Sequence, residues 1–216
     1  MSSRYCVPAS IIFTQKLLGK MHLMHRSGLT KSFMKIYCGQ PLKGSHIRVN
    51  PGILLLRASD WNPSDANIII YCDACMDGMG FWYPDSGLAF YSHVPRDVPV
   101  DFIFYYEALC VLSAFQHASP LSITSIRIAI YTNNSNTVDI FHSLRCLPAY
   151  NQILKEACST QIATEHQLRV FYVSGDHNGV ANAISRQQFP EALAMRPDLN
   201  IYYFQPPQLP LGATKK

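Results

Sequence analysis

Two acids and two amides occupy the four places where this chain could do chemistry. Asp73 follows the apolar run "NIIIYC" in "YCDACMDGMG", and Glu107 lies early in the helical pattern "IFYYEALCVLSAFQHAS". Asn133 follows the apolar run "IRIAIYT", and Asn182 lies in "GVANAISR", just after the loop "VSGDHNG". The carboxyl end of a buried strand is where α/β enzymes commonly place a catalytic carboxylate. At Asn133 that position holds an amide, which keeps the shape of an aspartate and one carbonyl acceptor but loses the charge and adds an NH₂ donor. Taken singly, an Asp at a strand end forms turns and a Glu on a helix faces solvent. Their arrangement carries more information than any one of them.

That arrangement depends on elements whose period can be read directly. "NIIIYC" is a short apolar, β-branched run of the kind buried on both faces of a sheet, "IRIAIYT" is a further buried strand, and "QLRVFYV" is the last strand. "GMGFWYP" and "GLAFYSHV" are two more strands, joined through the turn signal Asp85-Ser86-Gly87. The pattern "IFYYEALCVLSAFQHAS" is a helix that is apolar nearly all round. "SNTVDIFHSLR" and "AYNQILKEACSTQIATEH" are helices separated at Pro148, and "NGVANAISR" is a closing helix. The order β-β-β-α-β-α-α-β-α predicts an α/β fold with a five-stranded mixed sheet over residues 67–188. Residues 1–66 read as a separate extension with two short helices between Ile11 and Tyr37. Residues 189–216, ending "FQPPQLPLGATKK", read as a Pro-rich tail with little structure.

Composition narrows the classes further. The chain has 216 residues, 48% of them hydrophobic, which suits one packed domain with an extension and not a disordered chain. No apolar run approaches the roughly 18 residues that would cross a bilayer, so no membrane role is expected. Seven scattered cysteines and no recognisable secretion signal suit reduced thiols in an intracellular protein, of cytoplasm or nucleus. The C-x-x-C pair Cys72 and Cys75 straddles a strand end and has no second ligand pair, so it is not read as a zinc or redox site. Charge is uneven. Residues 1–60 hold nine Lys and Arg against one acid, Asp60, a net of +8, which leaves −4 for the rest of a chain whose total is +4. Such a basic arm suits a polyanionic partner.

The stretch from Asp73 to Arg186 resembles the RNase H domain of retroelement reverse transcriptases, most of all those of fungal retrotransposon polyproteins. The resemblance rests on "IIIYCDACMDGMGF", "FYYEALCVLSAF", "IYTNNSNTVDIF", "LPAYNQILK" and "RVFYVSGDHNGVANAISR", in family order. It implies an RNase H-like fold and a cleft in which four carboxylates, Asp-Glu-Asp-Asp, hold two Mg²⁺ ions that cut the RNA strand of an RNA–DNA hybrid. It also implies that residues 1–66 are a remnant of the segment linking polymerase to RNase H, with the polymerase part of a polyprotein as a partner. Carried over by motif, Asp73 and Glu107 match the first two carboxylates and the metal ligands. The family's "TDN" is written here "TNN", so Asn133 replaces the third carboxylate. Its "AD-aliphatic-SR" is written "ANAISR", so Asn182 replaces the fourth.

Two acids leave a nominal charge of −2 to face the +4 of two hard cations that shed water reluctantly, so a weak or incomplete Mg²⁺ site is expected. Asp176 and Asp139 are not placed to substitute. Asn134, His177 and Asn178 flank the cleft as expected nucleic-acid contacts, and His177 resembles a loop His that assists product release in some relatives. The leading expectation is an RNase H-like domain impaired in hybrid cleavage that still binds nucleic acid. The alternatives are an active Mg²⁺-dependent ribonuclease H and a non-enzymatic relic or domesticated interaction module. If the basic arm contributes to binding, deleting residues 1–60 flattens the plot of log affinity against log salt by about 0.9 for each duplex phosphate that is no longer neutralised. An unchanged slope would assign the +8 to a solvated surface.

Overall fold

A strand that is apolar on both sides must be covered on both sides, and the central strand here is of that kind. The computed structural model describes residues 61–95 and 103–209. In chain order the elements are β1 (Ile68–Ala74), β2 (Gly78–Tyr83), β3 (Leu88–His93), α1 (Ile103–Ala118), β4 (Arg127–Thr132), α2 (Ser135–Ser143), α3 (Asn151–Thr164), β5 (Gln167–Tyr172), α4 (Gly179–Ser185), α5 (Phe189–Met195) and β6 (Asn200–Tyr203). They form a mixed sheet of order β5-β4-β1-β2-β3-β6. β1, β4 and β5 are parallel, while β2 pairs antiparallel with β1 and β3 antiparallel with β2. The β2–β3 hairpin turns at Gly87, whose φ of +66° favours glycine.

One face carries Ile70, Cys72, Phe81, Ile128, Ile130 and Val170 against Leu109, Leu112 and Phe115 of α1 and Ile153 of α3. The other face is covered over β2 and β3, where Trp82 and Ala89 pack on Val180, Ala181 and Ile184 of α4, Ala192 of α5 and Leu199. β1 lies between the two layers, which is why its sequence is apolar without alternation. Among the described residues no helix is long and apolar enough to cross a membrane.

The five expected strands and their connecting helices are present, and a sixth strand is added. Asn200–Tyr203 pairs in parallel with β3, from Leu88↔Asn200 to Tyr91↔Tyr203. Residues 189–209 are therefore not the unstructured tail expected from their prolines. Pro190 stands in the first turn of α5, where its missing N–H costs nothing, and Pro206 and Pro207 fall after β6. Trp61, expected in the extension, is buried at the edge of the sheet. Its ring meets Phe171 edge-on at 6.0 Å, and Arg169 donates to its carbonyl oxygen. The helices expected between Ile11 and Tyr37 lie outside the described residues.

The position of α4 depends on two glycines of β2. A Cβ on Gly80 would lie 2.6 Å from Ile184 Cγ2 and 2.8 Å from the Ser185 backbone nitrogen, and one on Gly78 would meet the Ser185 carbonyl oxygen. The expected outcome for Gly80→Ala is displacement of α4 with a loss of about 1–3 kcal/mol, the usual cost of overpacking, read as a lower urea midpoint at unchanged m-value.

Candidate functional site

β1 and β4 run parallel as neighbours, with Tyr71 in register with Tyr131, so the residues beyond both strand ends emerge side by side. Asp73 leaves one strand and Asn133 follows the other. α1 crosses behind them and delivers Glu107, while α4, seated on the glycines, delivers Asn182 and Ser185. The four positions singled out in the sequence meet in one cleft. Asp73 is 2% exposed and Glu107 4%. The backbone N–H of Ala74 donates to both carboxyl groups.

Donors crowd Asp73. The Ser185 hydroxyl donates to Asp73 Oδ2, and the Asn133 amide also hydrogen-bonds its carboxyl. Asn133 Nδ2 donates to Asn182 Oδ1 at 3.3 Å, and Asn182 Nδ2 donates to the Gly175 carbonyl at 3.1 Å. A chain of amides thus runs from Asp73 to the loop at Gly175–His177. Thr132 Oγ1 donates to Glu107 Oε2 at 3.3 Å and accepts from the Asn134 N–H.

Electrostatics follow from burial. Desolvation raises the Asp73 carboxyl above the ordinary range, against the lowering effects of Ser185, the Arg186 charge and Asn133. Desolvation, then the neighbouring Asp73, pushes Glu107 up to about 8, with Thr132 acting the other way. The donor set is therefore two acids, one of them half protonated near pH 8, and two amides already bonded to each other. Among the described residues no cluster of three or more His, Cys, Asp or Glu side chains is placed to hold a metal ion. The residues present do not fit a pair of hard divalent cations, which two buried acids and two amides supply with too few anionic oxygens.

The other expected residues fall differently. Asn134 caps α2, its side chain accepting from the Thr137 N–H at 2.9 Å. His177 is exposed, with Nδ1 2.7 Å from Ser174 Oγ. Asn178, expected to touch nucleic acid, is turned inward instead. It is 1% exposed and donates to the Cys72 carbonyl at 3.0 Å, so it fastens the start of α4 to β1. Asp139 is exposed on α2. Sequence reasoning assigned no role to Ser185 or Thr132. Ser185 stands three residues after Asn182, so a helical reading of "ANAIS" would have put both on the cleft side.

No family model matches the sequence, and no curated protein matches it. Among solved structures the chain is similar to LC11-RNase H1 in complex with RNA/DNA hybrid, at a TM-score of 0.49 and 13% identity over 59% of this chain and 99% of that one. It is similar to RNase H1 from the halophilic archaeon Halobacterium salinarum, at 0.45 and 12% over 58% and 98%. The N-terminal RNase H domain of a Mycobacterium tuberculosis protein scores 0.43 at 11% over 60% and 99%.

The raised Glu107 carboxyl makes stability depend on pH with a defined sign. A carboxyl whose folded pKa lies above its unfolded value stabilises the fold at low pH, and that contribution is lost as pH rises from about 4.5 through about 8. Glu107→Gln removes the penalty. The variant is expected to gain stability over the parent at pH 9 and to lose that advantage at pH 5, measured by urea unfolding at both values. An advantage independent of pH would contradict the assignment.

Proposed function

We propose that the chain is an RNase H-like nucleic-acid-binding domain of retroelement origin whose hybrid-cleaving site has lost two of its four carboxylates. The observation that carries this reading is the meeting of Asp73, Glu107, Asn133 and Asn182 at the ends of β1 and β4, although they are far apart in sequence. Side chains of that size and polarity, gathered from two strands and two helices, are the layout of a carboxylate cleft in which two members have become amides.

Hydrolysis of a phosphodiester in such a cleft needs concentrated negative charge to hold the cations that activate water and stabilise the leaving oxygen. Here that charge is halved, and the amide NH₂ groups spend their hydrogen bonds on Asp73, on each other and on Gly175. Mg²⁺ is held weakly and incompletely, and cleavage is impaired. Asp73 and Glu107 are the residual ligands. What the cleft keeps is its shape, with His177 exposed on its rim loop and the basic residues 1–60 supplying phosphate affinity.

The test is Mg²⁺-dependent cleavage of a defined RNA–DNA hybrid. The chain as it stands is expected to give little or none, and the Asn133→Asp, Asn182→Asp double variant to recover it. Each single change leaves one cation short of an anion, so singles recover far less than half of the double's rate, because ligands of a metal pair act as a unit. Robust cleavage by the unaltered chain that Asp73→Asn abolishes would overturn the reading in favour of a working nuclease.

A further inference from the structure

A groove of about 300 Å³ opens between the start of α1, the outer side of α2 and the segment before α3. Phe104 and Tyr150 are its aromatic walls and Leu147 its exposed rim, and Asn136, Thr137 and Asp139 supply polar groups. Thr137 is 1% exposed, yet its Oγ1 has no hydrogen-bond partner among the described residues. A buried hydroxyl without a partner is costly, and one that lines a groove is a place for a ligand to bond. Phe104 is 44% exposed, a large ring left beside that hydroxyl.

The charge of the groove selects its occupant. Among the described residues Asp139 is its one carboxylate and no Lys, Arg or His lines it, so a phosphate or other anion is repelled. A flat aromatic group with hydrogen-bond donors on its edge fits both the ring walls and the Asp139, Asn136 and Thr137 acceptors. The volume is at the low end for ligand pockets and suits one ring system. Thr137 lies four residues beyond Asn133, about 6 Å by the rise of a helix, so the groove is joined to the Asn133 position through the first turn of α2. We infer that the groove takes one unpaired, amino-bearing nucleobase of the nucleic acid in the cleft, stacked on Phe104 with its amino group directed to Asp139. This assignment rests on the nucleic-acid reading of the cleft for its source, and on the groove alone for its chemistry.

The experiment is NMR titration of the full chain with adenosine, cytidine and uridine, following the Thr137 amide and the Leu147 methyls, with N-acetyltryptophanamide as a peptide-like rival. Adenosine and cytidine are expected to shift both probes and uridine to bind several-fold more weakly. Phe104→Ala, at an exposed position, weakens binding about tenfold, as loss of one stacking partner does. Asp139→Asn brings uridine level with cytidine. A hybrid with a single-stranded overhang then binds about tenfold tighter than one whose overhang is abasic. Silence at millimolar nucleoside, indifference to Phe104→Ala, or preference for N-acetyltryptophanamide overturns the inference. Hybrid binding without any nucleoside response sinks the groove alone. Nucleoside binding without hybrid binding sinks the cleft reading and leaves the groove.

Discussion

Asp73 and Glu107 are buried side by side, and most of the surrounding structure is arranged to make that tolerable. Two adjacent acids removed from water cannot both ionise freely: burial raises both, and Asp73 raises Glu107 further. The protein answers with donors. Ser185, Asn133 and the Ala74 N–H point at Asp73, Thr132 and the same N–H at Glu107, and the Arg186 charge lies near enough to lower Asp73. Every one of those donors comes from an element whose placement the fold must fix to within a hydrogen-bond length. The parallel β1–β4 pairing brings Thr132 and Asn133, and α4 brings Ser185.

The approach of α4 is therefore a chemical requirement as much as a packing one. A helix normally stands off a sheet by the length of the side chains between them. Here Gly78 and Gly80 remove those side chains, and α4 presents Ala181, Ala183 and Ile184 to the floor they leave. Asn178 then pins the helix start to the β1 backbone, and the amide pair Asn133–Asn182 ties its middle to the end of β4. Three separate attachments hold one seven-residue helix, too short to persist without them.

Much of this was legible in the sequence because it is written in local periods. β1 and the interior of β4 are short apolar runs, and the order of the five principal strands with the intervening helices sufficed for the mixed sheet. Asp73 and Asn133 were legible at strand ends, and Glu107 and Asn182 through the motifs in which they stand. The unread features depend on partners far away in the chain. Ser185 bonds a residue 112 positions earlier and Arg169 bonds Trp61 across 108, and neither pairing leaves a local mark. β6 has four residues, too few for alternation to stand out, and prolines on both sides gave its neighbourhood the look of a tail. Asn178 read as a loop amide because nothing in "DHNGV" says that its side chain turns inward.

The amides at Asn133 and Asn182 suit a site that already holds two buried acids. Four carboxylates in this cleft would repel one another whenever no cation lay between them, so a full acid set destabilises the empty domain. An amide at Asn133 removes one of those charges and adds a donor that Asp73 accepts, and an amide at Asn182 does the same for the loop carbonyl of Gly175. Compared with an aspartate at the same place, each amide exchanges a repulsion for a hydrogen bond at nearly constant volume, which favours the fold without a cation. A site built for chemistry carries strain that stability does not favour, and substitutions that relieve it tend to stabilise at the expense of activity. That is how two buried acids and two amides share one hydrogen-bonded cluster at the ends of β1 and β4.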